Sequence, residues 1–73
     1  MTYEKAKAIA LDLNHKFNAC REFEKGYHFY MRSEDIIDGD SGAVILKENG
    51  KSINWVDFIL RYHPETNPKE LEF

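Results

Sequence analysis

Four carboxylates and no basic residue lie within residues 33–42, the densest group of potential ligands in this 73-residue chain. The acidic residues are Glu34, Asp35, Asp38 and Asp40. Carboxylate oxygens bind calcium, but an EF-hand loop also requires a glycine at its sixth position and a glutamate at its twelfth. Counted from Asp38, those two positions hold Ala43 and Asn49. The stretch is therefore not an EF-hand, and two interpretations remain: a solvated acidic loop or a weak, exposed cation site.

Residues 39–42 of the same stretch read Gly-Asp-Ser-Gly, a string found around the nucleophilic serine of trypsin-like proteases. That chemistry also requires a histidine and an aspartate brought from distant parts of a much larger fold. A chain of 73 residues is too short for it. Glycine, aspartate and serine are also the residues that a turn requires. We therefore interpret the string as a turn and expect no catalytic residues, no enzyme activity and no cofactor.

The three histidines and the single cysteine do not form a recognisable site. His15, His28 and His63 come from different parts of the chain and lack the spacing of metal ligands. We expect them to be surface or sheet-packing residues, with His15 and His28 on less buried faces. Arg21 beside Cys20 could lower the pKa of the thiol, but no base or second cysteine is identifiable. A buried apolar role is therefore favoured for Cys20, and no metal site is predicted.

Composition limits the classes of function. The net charge of −3, with basic residues interspersed among acids, argues against a nucleic-acid partner. No run approaches the ~20 apolar residues that span a bilayer, and residues 1–17 lack the apolar segment of a secretory signal. A single cysteine excludes an internal disulfide and favours a reducing compartment. We expect a cytoplasmic protein without membrane contact.

The beginning of the chain predicts a helix. Apolar residues recur at steps of three and four from Tyr3 to Phe17, with Cys20 as the last candidate, which is the pattern of an amphipathic helix of about four to five turns. Thr2 is suited to cap its first turn, where Glu4 complements the helix dipole. Residues 19–23 follow, and the pattern leaves them open between helix and strand.

Two hairpins are predicted next. Residues 27–32 alternate in character and follow a turn at Gly26, which indicates a strand paired with a short strand before that turn. Residues 43–47 form a short run rich in strand-forming residues and are separated from residues 51–53 by Asn49-Gly50, a strong hairpin signal. Four strands, or three if residues 19–23 are helical, therefore lie in the middle of the chain.

A second helix is predicted from Trp55 to Tyr62, capped by Asn54 and stopped by Pro64. Residues 67–70 begin like another helix, of one turn at most. The element order α-β-β-β-β-α predicts an α+β fold, a small antiparallel sheet of three to four strands with the helices packed on one face. Residues 1–63 would form the single domain, and residues 64–73 a short tail.

The second helix is apolar around more than half of its circumference, which exceeds what one sheet can cover. One interpretation is that the acidic loop or the tail, through Leu71 and Phe73, covers the excess. The other is that Val56 and Leu60 contribute to a contact with another protein, because exposed apolar patches usually have a partner. The sequence favours neither.

Three segments carry a resemblance to a known family: residues 26–30 (Gly-Tyr-His-Phe-Tyr), 42–51 (Gly-Ala-Val-Ile-Leu-Lys-Glu-Asn-Gly-Lys) and 55–62 (Trp-Val-Asp-Phe-Ile-Leu-Arg-Tyr). In this order they resemble the YrhB-type immunity-protein domain, a short bacterial α+β domain with a leading helix and a closing apolar–acidic helix. The resemblance implies a cytoplasmic protein that neutralises a toxin by binding it. It implies no catalytic residues.

The functional hypothesis is a non-enzymatic protein-interaction module, with a toxin-neutralising immunity protein as its most specific form. The acidic loop (Glu34, Asp35, Asp38 and Asp40) would meet a basic partner surface, because complementary charges speed and orient encounter. Tyr30 would be an aromatic anchor. Val56 and Leu60 would add apolar contact. The alternative is a small homodimeric structural or subunit protein that associates through the last helix or a sheet edge.

Overall fold

Two helices and five strands make up the part of the chain that the computed structural model describes, residues 1–32 and 42–73. In chain order they are α1 (Tyr3–Leu13), β1 (Ala19–Glu22), β2 (Gly26–Tyr30), β3 (Ala43–Leu46), β4 (Ser52–Asn54), α2 (Trp55–Tyr62) and β5 (Lys69–Leu71). Residues 19–22, left open by the sequence, are therefore strand.

The five strands form one antiparallel sheet in the order β4-β3-β2-β1-β5. This confirms the α+β class, with one strand more than predicted. The additional strand is β5, so the helical turn expected at residues 67–70 is wrong. Leu71 pairs with Cys20 of β1 and packs into the core, which satisfies backbone groups that β1 would otherwise leave exposed at the sheet edge.

The helices lie on opposite faces of the sheet, so the prediction that both pack on one face is wrong. On one face, Ala6 and Ala10 of α1 pack in a cluster with Phe29 and Ile45. On the other, Phe58 of α2 packs in a second cluster with the apolar side chains of β3 that alternate with Ile45. The physical reason is that the central strands are bulky or apolar on both faces, and each face must be covered.

Helix α1 ends at Leu13, earlier than the apolar pattern predicted, which extended to Phe17 with Cys20 as its last candidate. Its start is as expected, since the Thr2 hydroxyl accepts a hydrogen bond from the Lys5 N–H at 3.3 Å. At its end, the Asn14 side chain accepts from the Lys16 N–H at 3.0 Å. This local turn competes with the next helical hydrogen bond and redirects the chain toward β1.

Helix α2 begins and ends where the sequence predicts. The Asn54 side chain accepts from the Asp57 N–H at 2.8 Å, and His63 ends the helix in a left-handed conformation with φ of 45°. The Asn49-Gly50 hairpin before it is also confirmed, with Gly50 at φ of 73° between β3 and β4. These boundaries fix which side chains of α2 face the sheet.

Candidate functional site

The outward face of α2 is apolar and exposed. Val56 is 56% exposed, Ile59 39% and Leu60 66%, whereas Phe58 on the inward side is fully buried. Because a helix turns about 100° per residue, these three aliphatic residues form one stripe along the helix, which we call the α2 ridge. The structure thus places both predicted apolar contact residues, Val56 and Leu60, at the surface.

Leu71 and Phe73 do not cover the α2 ridge. Leu71 packs in the cluster that contains α1, and the Phe73 ring lies edge-on to the Phe29 ring at 6.3 Å, within reach of the Lys7 ammonium. Both side chains are therefore on the opposite face of the sheet from α2. The interpretation that the tail hides the apolar excess of the second helix is wrong for these two residues, and the other candidate cover, the acidic loop, lies outside the described residues.

An open groove of about 450 Å³ runs beside the ridge. Its walls come from β1, α2 and residues 63–68, and they include Phe23, Trp55, Ile59, Pro64 and Pro68. Ile59 belongs to both the ridge and the groove, so the two form one continuous surface. The volume lies within the range of ligand-binding clefts, about 300–1,000 Å³.

A stack of side chains supports one wall of this groove. The Trp55 ring lies on the His28 ring at 4.2 Å between centroids and 12° between planes. The Arg21 guanidinium lies 5.1 Å from the Trp55 ring, and its Nε donates a hydrogen bond to His28 Nδ1 at 3.1 Å. Since Arg Nε can only donate, Nδ1 of His28 acts as the acceptor. The stack holds Trp55 against the sheet and gives the groove a rigid aromatic wall.

His28 is fully buried, which contradicts its expected place on a less buried face. The strand alternation correctly placed it opposite Tyr27 and Phe29, but α2 covers that second face. The sequence did contain a signal for this burial. The second predicted helix is apolar, and an apolar helix needs a face of the sheet to pack against. Arg21, Trp55 and Ile59 were not identified as site residues from the sequence, because only the folded sheet brings β1 beside α2.

Tyr30 is not an exposed anchor, and that prediction is wrong. The residue is 2% exposed, and its hydroxyl donates to the two carboxylate oxygens of Glu70 at 2.8 and 3.1 Å. Burial, and then the hydrogen bond to Glu70, raise the pKa of Tyr30 above its ordinary value. Its position on the α2 side of β2 explains the burial, and its role is to connect β2 to β5 across β1.

The predicted acidic site lies outside the described residues. Its members Glu34, Asp35, Asp38 and Asp40 fall within residues 33–41, as does most of the Gly-Asp-Ser-Gly string. Within residues 1–32 and 42–73, no group of three or more His, Cys, Asp or Glu side chains is arranged to hold a metal ion. Neither described helix is long and apolar enough to cross a membrane.

Cys20 has the buried apolar role that its surroundings in the sequence favoured. It is fully buried in β1, in the cluster beneath α1. Burial raises the pKa of the Cys20 thiol from 9.0 to about 12, and the nearby Glu22 and Glu70 act in the same direction. The thiol is therefore protonated at neutral pH and is poorly suited to nucleophilic chemistry.

Comparison with known proteins gave no match to a family model, to a curated protein or to a solved structure. The resemblance to immunity-protein domains accordingly stays a prediction.

Proposed function

We infer that this protein is a non-enzymatic, cytoplasmic interaction module and that a partner protein docks on the α2 ridge and the adjoining groove. The observation that carries this inference is the exposure of three contiguous aliphatic side chains, Val56, Ile59 and Leu60, next to an open groove. Contiguous apolar surface of this kind typically marks a site of protein–protein contact.

The chemistry around the ridge suits a protein partner. Protein interfaces have an apolar centre, aromatic anchors and a polar rim. Here the aliphatic ridge would form the centre, and Trp55 would form the wall against which a partner side chain packs. Asp57 and Arg61 would supply the charged rim, because they are the two charged residues of α2. A side chain inserted into the groove would contact Ile59 and Trp55 together.

Toxin neutralisation is the most specific form of this proposal. It is supported by the charge of the sequence, since residues 33–42 carry four acids and no base. Such a loop would attract a basic partner and accelerate its encounter while the apolar ridge holds it. The four carboxylates would then act mainly on the association rate and its salt dependence, and the ridge mainly on dissociation.

A matched pair of substitutions tests the docking surface. Tagged wild-type protein, Leu60→Glu and Leu13→Glu would each be used to capture proteins from a lysate of the source cells. Leu13 is the control because it is 55% exposed, like Leu60, but lies on α1. A candidate captured by wild type and Leu13→Glu would then be purified and titrated against all three. We expect at least tenfold weaker binding for Leu60→Glu alone, as is usual for a central apolar contact.

Two results would contradict the proposal. Unchanged affinity of the purified partner for Leu60→Glu and for Ile59→Glu would show that the α2 ridge is not the docking surface. For the toxin form, a variant carrying Glu34→Gln, Asp35→Asn, Asp38→Asn and Asp40→Asn should bind a basic partner more weakly and with reduced dependence on salt. Affinity and salt dependence equal to wild type would remove the acidic loop from the mechanism.

A further inference from the structure

We propose that Asn49 is a site of spontaneous covalent modification, at which the backbone nitrogen of Gly50 closes onto the Asn49 side-chain amide, and that the folded turn between β3 and β4 holds this reaction back. The modification would thus mark chains in which the β3–β4 hairpin has opened. The inference goes beyond the proposed function and does not depend on it.

The reaction is deamidation through a succinimide ring. Hydroxide removes the proton of the Gly50 N–H, and the nitrogen forms a bond to Asn49 Cγ. The bond from Cγ to the side-chain nitrogen breaks, and that nitrogen takes a proton from water and leaves as ammonia. Water then opens the ring at either carbonyl, which gives aspartate or isoaspartate at residue 49. The overall change replaces NH2 by OH, adds about 1 Da and one negative charge, and consumes only water.

Residue type and exposure favour the reaction at this position. Gly50 has no Cβ, so the approach of Asn49 Cγ to its nitrogen is unobstructed. Asn49 is exposed between β3 and β4, where water reaches it. The asparagines at positions 14, 18, 54 and 67 are followed instead by histidine, alanine, tryptophan and proline. Asn49 is therefore the asparagine that is most open to this attack.

Two hydrogen bonds of the folded turn oppose ring closure. The Gly50 N–H donates to the Leu46 carbonyl oxygen at 2.8 Å, and this bond must be lost because the ring nitrogen of a succinimide carries no hydrogen. The Asn49 Oδ1 accepts from the Lys51 N–H at 2.9 Å, which restricts rotation of the side-chain amide that has to reach the Gly50 nitrogen. Both reacting groups are therefore restrained, and the turn must open before they combine.

Opening of this hairpin is local. Strand β4 is three residues long and lies at the edge of the sheet, where it pairs with β3. A short edge element opens at a lower cost in free energy than the whole fold. We therefore expect deamidation of the folded protein to be at least about tenfold slower than that of the unfolded chain, and to proceed without global unfolding.

Mass spectrometry of the full chain measures both rates. Wild-type protein would be kept at about pH 8 in buffer and in guanidinium, and the gain of about 1 Da would be followed with time and located by peptide mapping. The chain has no glutamine, so only asparagine side chains can give this gain. In guanidinium, residue 49 should react faster than every other asparagine. Gly50→Ala should slow it there at least about tenfold, because the added Cβ obstructs the attack.

Two variants separate opening of the hairpin from unfolding of the whole fold. Ile53→Ala removes apolar contact between β4 and the cluster that contains Phe58. The folded variant should therefore deamidate at least about threefold faster than wild type, at an unchanged rate in guanidinium. Tyr30→Phe is the matched control, because it weakens a contact of β5 at the opposite edge of the sheet. Its folded rate should stay within about twofold of wild type.

Three outcomes would overturn the inference. A rate at Asn49 in buffer within about threefold of the rate in guanidinium would show that the folded turn does not hold the reaction back. Equal acceleration by Ile53→Ala and Tyr30→Phe would assign the reaction to global unfolding. A residue 49 that reacts no faster than the other asparagines in guanidinium would not be a modification site. Each of these results leaves the proposed docking on the α2 ridge to its own test.

Discussion

The reactivity of Cys20 offers a sharp test of the core beneath α1. The residue lies in β1 opposite Phe29 of β2 and Leu71 of β5, and it is fully buried. Its thiol reacts with disulfide reagents such as dithionitrobenzoate only as the thiolate. We therefore expect labelling of the folded protein at pH 8 to be far slower than labelling of the same protein in denaturant.

The expected slowing follows from the pKa. In the unfolded chain, a pKa of 9.0 leaves about a tenth of the thiol ionised at pH 8. In the folded protein, a pKa of about 12 leaves about one part in ten thousand ionised, which is roughly a thousandfold less. A thiolate of higher pKa is also more nucleophilic, which offsets the loss by about twentyfold. Ionisation alone therefore slows the reaction about fiftyfold, and exclusion of the reagent from the core adds to this.

An added exposed thiol makes the assay internally controlled. Ser52→Cys places a second cysteine on the exposed edge strand β4. The folded variant should label in two phases of equal amplitude, one fast and one at least fiftyfold slower, and in guanidinium the two should merge into one fast phase. A folded wild-type protein whose Cys20 reacts within about tenfold of the denatured rate would refute the described packing of β1 between β2 and β5.

Four further predictions concern the stability of the fold. Gly42→Ala should lower the free energy of unfolding by at least about 3 kcal/mol in urea titrations, because Gly42 has φ of 100° and a Cβ there would collide with the Phe29 carbonyl oxygen. Gly50 has φ of 73°, and a Cβ added there would collide only with the end of a flexible side chain. Gly50→Ala should therefore lower the free energy of unfolding by about 1–2 kcal/mol. Tyr30→Phe removes the hydrogen bond to Glu70 and should lower the free energy of unfolding by about 1–2 kcal/mol, which corresponds to a melting temperature about 4–16 °C lower. An unchanged melting temperature would show that this hydrogen bond does not stabilise the fold. Stability should be intact below about pH 9 and fall above it, because the unfolded chain loses the Cys20 thiol proton near pH 9.0 and tyrosine protons near pH 10.0 while burial raises the folded pKa values of these groups; equal stability at pH 8 and pH 11 would contradict this. The tyrosines concerned are Tyr3, Tyr27 and Tyr30.

The elements that the sequence predicted correctly are those set by local chemistry. Thr2 and Asn54 cap the helices as expected, because a side-chain oxygen needs only an N–H three residues away. The Asn49-Gly50 turn is equally local, since Gly50 supplies the positive φ that a tight hairpin requires. Each of these signals is contained within a few residues and is independent of the rest of the fold.

The elements that the sequence missed depend on contacts distant along the chain. Residues 67–70 begin like a helix, yet β5 forms because the edge of β1, about fifty residues earlier, offers backbone partners and a place for Leu71. Propensity is a weak prior that tertiary contact overrides. The same applies to His28, whose burial follows from the packing of Trp55 against it and from the Arg21 hydrogen bond, neither of which a strand pattern contains.

Folding alone does not explain why the α2 ridge is apolar. The inward side of α2 already has three large apolar side chains that pack against the sheet, Phe58, Trp55 and Tyr62. Leu60 is 66% exposed, and lysine is nearly as good a helix former as leucine. Leu60→Lys should therefore change the free energy of unfolding by no more than about 0.5 kcal/mol, whereas Phe58→Ala should cost about 3–5 kcal/mol.

Urea titration of these two variants separates a folding role from a binding role. If Leu60→Lys destabilises the protein by more than about 2 kcal/mol, the ridge is part of the core and the observation that carries the proposed function is lost. If Leu60→Lys leaves the free energy of unfolding unchanged, folding does not explain why a leucine occupies this exposed position. A role in contact with another molecule is then favoured, because exposed apolar surface promotes association and is otherwise a liability. A neutral Leu60→Lys that also abolishes association would assign the leucine to binding.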